Sequence, residues 1–344
     1  MMTASFTLIV TGANGFIGNA LLHGIARHMP DLSVIALVRS EAACEKLTKL
    51  PIKLTLRRGS LQQLPSDLLP QTPHVLVHLA VKQIDLNGRG FDEDNIDGTR
   101  RLLSQVNNYT WGIIYNSSLS VYGEDPQRGI NESVPLNPQT PLARSRAAAE
   151  QLIREHMAAR NRWALLLRPR FVLGRGDRFV LPGLLGLSSK GLSVGSGQQR
   201  FSIINVDDYA AILLHLAHHI AQQLECPQQQ ALNVGYRRPV RFAALIDALR
   251  ERYSLTAPRL TIPAPLWLIR IFIWLPIPAL QYIARKLSLI GLDHYADTSA
   301  LAALVGNDIV GRSPQIALSL AVTALAVCEN PLNHTGESSE PNSV

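Results

Sequence analysis

Apolar residues in the first two-thirds of the chain fall in short unbroken runs, separated by stretches of helical period. Leu8–Val10, Ser33–Val38, Trp111–Asn116 and Leu165–Pro169 are such mainly apolar runs, Lys53–Leu56 reads as a further strand, and His74–Ala80 has the continuous apolar character of a buried strand. Between them lie helix-period stretches, beginning with Asn19–His28 and a segment reaching Val106. Further on, Phe242, Leu245, Ile246 and Leu249 share one face of a predicted helix over Phe242–Tyr253. Strands alternating with helices predict a parallel, doubly wound α/β sheet with helices on both faces. This pattern occupies residues 1–170, and strands return to the sheet from 201–235. Residues 171–328 are mainly a smaller C-terminal domain with an apolar helical stretch over 263–289. Residues 329–344, rich in Pro, Ser, Asn and Glu, read as a disordered tail.

The first run leads into TGANGFIG, Thr11–Gly18, and then into a helix. Strand, glycine turn and helix in that order point to a dinucleotide site. Gly12 permits the turn, Gly15 lets backbone amides approach a pyrophosphate, and Gly18 allows close helix–strand packing. Asn14, Phe16 and Ile17 complete the cofactor-binding set, where the helix N-terminus offers free amides to phosphate. A purely structural turn is the competing reading. The second run ends at Arg39. An acid there would accept from the adenosine ribose, whereas a guanidinium suits a 2′-phosphate, so the expected cofactor is NADP, with NAD remaining open. A solvent-exposed arginine is the alternative.

Several longer motifs extend this picture. They are Asn95–Thr99 (NIDGT), Ser117–Gly123 (SSLSVYG), Pro141–Arg146 (PLARSR), Arg168–Asp177 (RPRFVLGRGD), Phe201–Ala210 (FSIINVDDYA) and Asn233–Gly235 (NVG). Together they resemble the extended short-chain dehydrogenase/reductase family, the NAD-dependent epimerases and dehydratases, in its nucleotide-sugar branch. The resemblance runs from about Thr7 to Gly311. It implies a Rossmann-type fold, Ala80 in the loop beside the cofactor, and Ser118 on the reacting hydroxyl or ketone of the substrate. Tyr122 and Arg200 are expected near the substrate, and Ser60 stands where the family commonly has Asp. Family members write the catalytic segment P-Tyr-Gly-x-Ser-Lys; here Leu142 and Arg146 occupy the tyrosine and lysine positions. A leucine has no proton to exchange. Arg146 keeps a positive charge that could reach ribose hydroxyls, but it has no phenol to activate. Tyr115, expected to pack within its strand, does not replace the missing group, nor does the Tyr282/Lys286 pair. His78 reads as a packed histidine.

The implied function is NAD(P)-linked oxidoreduction on a UDP-sugar, as an epimerase or reductase of surface-polysaccharide synthesis with impaired or atypical catalysis. The alternative is a non-catalytic NADP-binding sensor or partner protein, associated with a membrane surface in one version. A net charge of +7 favours anionic ligands, yet the arginines are scattered and not interleaved with aromatics, which argues against nucleic acid. Cys44, Cys226 and Cys328 have no paired spacing, and His215 and His219 lack an acidic partner, so no metal is expected. No secretion signal opens the sequence, so the expected location is the cytoplasm, with the inner face of the membrane as an option. Arg270, Pro276 and Pro278 interrupt Pro263–Leu289, which falls short of a membrane span. It reads either as a lid over the sugar or as an interfacial helix pair on an acidic membrane. Homodimerisation also stays open.

Overall fold

The computed structural model describes residues 5–85 and 90–329. The expected tail from Asn330 onward lies outside the described residues. Seven strands form the main sheet: β1 (Thr7–Thr11), β2 (Ser33–Val38), β3 (Leu54–Arg58), β4 (His74–His78), β5 (Thr110–Asn116), β6 (Trp163–Pro169) and β7 (Gln229–Val234). Their order is β7-β6-β5-β4-β1-β2-β3, and every neighbouring pair is parallel. The apolar runs Val75–Val77 in β4 and Trp163–Leu167 in β6 follow from this, because every residue of both strands is buried. One face of the sheet is covered by helices Phe16–His28 and Val206–Gln222, through Leu21, Leu22, Ile25, Ile212, Leu213 and Leu216. The other is covered by Gly98–Ser104 and Pro141–Ala158, through Leu102, Leu103, Ala149, Ile153 and Met157. The strand order reverses between β1 and β4, which opens a crevice at their carboxyl ends.

The segment after β6 builds smaller sheets. Phe171–Leu173 pairs with Ile203–Asn205, and Leu192–Val194 with Leu260–Ile262. Arg200–Phe201 joins Val240–Arg241, His294–Ala296 and Gln127–Ile130 in a four-stranded sheet. Of the segment expected to return to the main sheet, only Gln229–Val234 does so. Strands of two or three residues such as Arg200–Phe201 and Ile203–Asn205 find shorter edges elsewhere. The apolar stretch folds as a helical hairpin, Leu266–Trp274 and Pro278–Gly291. Among the described residues no helix is long and apolar enough to cross a membrane.

Candidate active site

At the crevice the backbone leaves β1 through Gly12, at φ +72°, where a Cβ would stand 2.8 Å from the Ala80 amide nitrogen. The Gly15 amide donates back to the Gly12 carbonyl at 3.0 Å, closing the turn. A Cβ on Gly18 would reach 2.2 Å from that same carbonyl oxygen, so only glycine lets the helix come this close to β1. Gly15 caps the helix without any side-chain bond to its amides, leaving them directed outward. A cleft of about 590 Å³ lies over this turn, with Gly12, Asn14, Gly15, Arg39, Ser60 and Ala80 in its wall. Phe16 and Ile17 begin the helix and are half-buried outside that wall. Arg39 is exposed. A turn in which Cβ atoms at Gly12 and Gly18 would collide with backbone, beneath uncapped helix amides, has the features a pyrophosphate-bearing dinucleotide requires.

The far wall is pinned from below. His78 is fully buried, with Nδ1 2.7 Å from Thr11 Oγ1 and Nε2 3.1 Å from Thr99 Oγ1. Thr99 donates its proton to the Asn95 carbonyl at 2.6 Å, so its oxygen accepts from Nε2–H and His78 Nδ1 accepts from Thr11. Thr11 Oγ1 in turn receives the Ala80 amide at 3.2 Å. Burial pulls the His78 pKa down to about 4, which keeps the ring neutral. It is a packed histidine, as its place in a buried strand suggested. Asn95 ties the same loop to the helix Pro141–Ala158. Its Oδ1 accepts from the Lys82 amide at 2.8 Å, and its Nδ2 donates to Ser145 Oγ at 2.9 Å.

Ser118 ends the strand-to-turn transition after β5. Its Oγ accepts from the Ser120 amide at 3.2 Å and caps the short turn Leu119–Tyr122, leaving the hydroxyl proton for another acceptor. Thr140 caps the next helix, Pro141–Ala158, through the Ala143 amide. Leu142 stands in its first turn, half-buried, and Arg146 one turn on. Arg146 is turned into the fold. It is 4% exposed, and Nη1 donates to the Ser117 carbonyl at 2.6 Å. Burial lowers its pKa; the neighbouring Tyr115, Tyr209 and Glu150 act in the opposite direction. Its Nε, the Ser117 hydroxyl and the Tyr115 hydroxyl are buried and have no hydrogen-bond partner among the described residues. Tyr115 is fully buried, and burial pushes its pKa well above the ordinary value. It packs in its strand as expected.

Tyr122, expected beside the substrate, sends its hydroxyl inward. It accepts from Arg168 Nη1 at 2.7 Å and donates to Asn233 Oδ1 at 3.0 Å. Arg168 also grips Glu150 with two nitrogens, Nε to Oε1 at 3.0 Å and Nη2 to Oε2. The outward signal for this network was weak: an arginine closing the apolar run Leu165–Leu167, and an acid on the covered face of a helix. Arg200 is exposed, with its amide on Asp293 Oδ1. Sequence reasoning did not single out Gln62, Lys82, Gln83, Ile84, Glu93 or Asp94, which also line the cleft. Tyr282 and Lys286 lie on the exposed side of the hairpin, with the ammonium 5.4 Å from the ring centroid.

The profile of the NAD dependent epimerase/dehydratase family matches residues 8–235. The chain belongs to that family. It is 29% identical over 157 residues to a dTDP-glucose 4,6-dehydratase of Mycobacterium tuberculosis, covering 43% of this chain and 47% of the relative. It is 25% identical over 314 residues to 3beta-hydroxysteroid-dehydrogenase/decarboxylase isoform 2 of Arabidopsis thaliana, covering 81% and 52%. The chain thus spans about half the length of the curated relatives it matches. Its fold is that of UDP-glucuronic acid 4-epimerase from Bacillus cereus, solved with NAD, at TM-score 0.73 and 17% identity over 94% of this chain and 99% of that one. The dTDP-glucose 4,6-dehydratase of Bacillus anthracis, also with NAD, aligns at TM-score 0.70 and 17% identity over 94% and 98%.

Proposed function

We propose that this chain is a nucleotide-sugar epimerase/reductase-like protein of surface-polysaccharide synthesis. It takes NADP in preference to NAD, binds a UDP-linked sugar, and has an impaired proton-transfer step. The observation carrying this reading is the contrast at the site: a turn that accepts no side chain at Gly12 or Gly18, beside Leu142 where the family resemblance expects a proton-exchanging tyrosine. Gly12, Gly15 and the uncapped amides of the following helix hold the pyrophosphate. Arg39 meets the 2′-phosphate, and Ala80, held by Thr11, walls the cleft. When bound, the dinucleotide supplies hydride transfer. Ser118 donates its free hydroxyl proton to the sugar oxygen and orients it. Leu142 moves no proton there, and Arg146 supports the Ser117 carbonyl instead of activating a phenol. A missing acid–base group costs about 10²–10⁴ in rate.

Turnover with a panel of UDP-sugars and their 4-keto derivatives tests this reading. Wild type should be nearly silent and Leu142→Tyr with Arg146→Lys faster; full wild-type turnover, or no UDP-sugar binding, would defeat it. The inward Arg146 also favours a second reading, a non-catalytic sensor of NADP. That protein would bind cofactor with no UDP-sugar affinity and no gain in the double variant.

A further inference from the structure

The helical hairpin is built inside out. On Leu266–Trp274 the exposed positions are Trp267, Arg270, Ile271 and Trp274; on Pro278–Gly291 they include Ala279, Tyr282, Ile283 and Lys286. Each set follows the i, i+3, i+4, i+7 spacing of one helix face, and each is mainly apolar with one cation. Trp267 is 63% exposed, Trp274 84% and Tyr282 64%. The hairpin nevertheless has its own interior, Ile269, Ala284 and Leu292 with Phe272, Ile273 and Leu287. Its bend is fastened by Gln281, whose Nε2 donates to the carbonyls of Ile273 and Leu275 at 3.2 and 2.9 Å. Its base is held by Arg285 on the Glu124 carboxylate and Ser288 Oγ on the Glu124 carbonyl. The exposed apolar side of each helix is therefore a fixed feature of a structured element.

From Arg252 to Leu292 the sequence carries Arg252, Arg259, Arg270, Arg285 and Lys286 and no acid. Arg270 and Arg285 are ion-paired to Asp125 and Glu124, and Lys286 lies over the Tyr282 ring at the exposed edge. Aromatic and aliphatic side chains flanked by cations, on helices too short to span, match the chemistry of an anionic lipid surface. We propose that this hairpin docks the protein on an anionic bilayer, with Trp267, Ile271, Trp274 and Ile283 inserted at the headgroup boundary. Glu124 and Asp125 directly follow the Ser118–Gly123 turn, so the docked element and the candidate site share one loop. The inference stands on the hairpin's own residues and is independent of the proposed catalysis.

The full chain should co-sediment at low salt with vesicles containing phosphatidylglycerol, and less with phosphatidylcholine alone. Trp111 and Trp163 lie elsewhere, in the main sheet, so blue-shifted emission on binding would report Trp267 and Trp274. Trp267→Ser with Trp274→Ser should lower vesicle affinity by about tenfold or more, with circular dichroism unchanged because both side chains are exposed. Lys286→Glu should weaken binding to anionic vesicles and leave binding to neutral ones unaltered. Wild type staying in the supernatant with anionic vesicles would overturn the proposal, as would tryptophan variants sedimenting like wild type. A dimer that Trp274→Ser dissociates, with no vesicle binding, would assign the face to a second copy and equally overturn it.

Discussion

Replacing Glu150 by glutamine should be among the most damaging single changes in this protein. The side chains of Arg168 and Glu150 are 3% and 2% exposed, and the carboxylate accepts from two guanidinium nitrogens. Desolvation alone would lower the Arg168 pKa, but its bonds and charge interaction with Glu150 outweigh this and raise it. In Glu150→Gln the amide can accept one of the two bonds but turns an N–H toward the other. Among the described residues the guanidinium then has no ion-pair partner, and its other hydrogen bond is to the Tyr122 hydroxyl. Breaking one side of a buried pair in this way costs about 3–5 kcal/mol. That is a large share of a typical net stability of about 5–15 kcal/mol. Urea unfolding followed by circular dichroism measures it as a fall in midpoint at constant slope. Glu150→Leu with Arg168→Met removes both charges and should regain most of the loss. A single-variant loss below about 1 kcal/mol would refute the reasoning, since it would require water to reach the pair.

Gly18→Ala places a carbon against the Gly12 carbonyl, so unfolding free energy should fall by about 1–3 kcal/mol and dinucleotide binding should weaken with it, read by urea titration and by cofactor titration. Acid should destabilise the fold through His78. Its folded pKa of about 4 lies below the unfolded 6.5, so the unfolded state binds the extra proton. The stabilisation is present above pH ~6.5 and is lost as pH falls toward 4, by about 3 kcal/mol in total. His74 and His294, also lowered mainly by burial, act in the same direction, and stability that stayed flat over this range would contradict the assignment. Arg39→Ala should weaken NADP by about tenfold to a hundredfold and leave NAD unchanged in paired titrations.

The glycine turn was legible in the sequence because its requirement is steric: at Gly12 and Gly18 the backbone itself occupies the space of a side chain. The main sheet was legible for a related reason, since the middles of strands such as β4 and β6 are apolar on both faces where helices cover them, while His74, His78 and Arg168 at their ends are buried with hydrogen-bond partners. The leucine at the position where the family resemblance expects tyrosine could be read directly, because Leu142 lacks an exchangeable side-chain proton wherever it points. Side-chain direction could not be read. Nothing in the sequence separated an Arg146 reaching outward from one bonded to the Ser117 carbonyl. Likewise Arg168, which bonds the Tyr122 hydroxyl, lies 46 residues further along, on strand β6. The hairpin was ambiguous because it is apolar on nearly every side, and only packing reveals which side is covered.

Titrating the purified protein with NADP and NAD while following thermal unfolding tests the proposed dinucleotide cradle most directly. Saturable stabilisation is predicted, stronger with NADP and amounting to about 2.7 kcal/mol at a hundredfold excess over Kd. An unfolding temperature that neither cofactor moves at any concentration would contradict it.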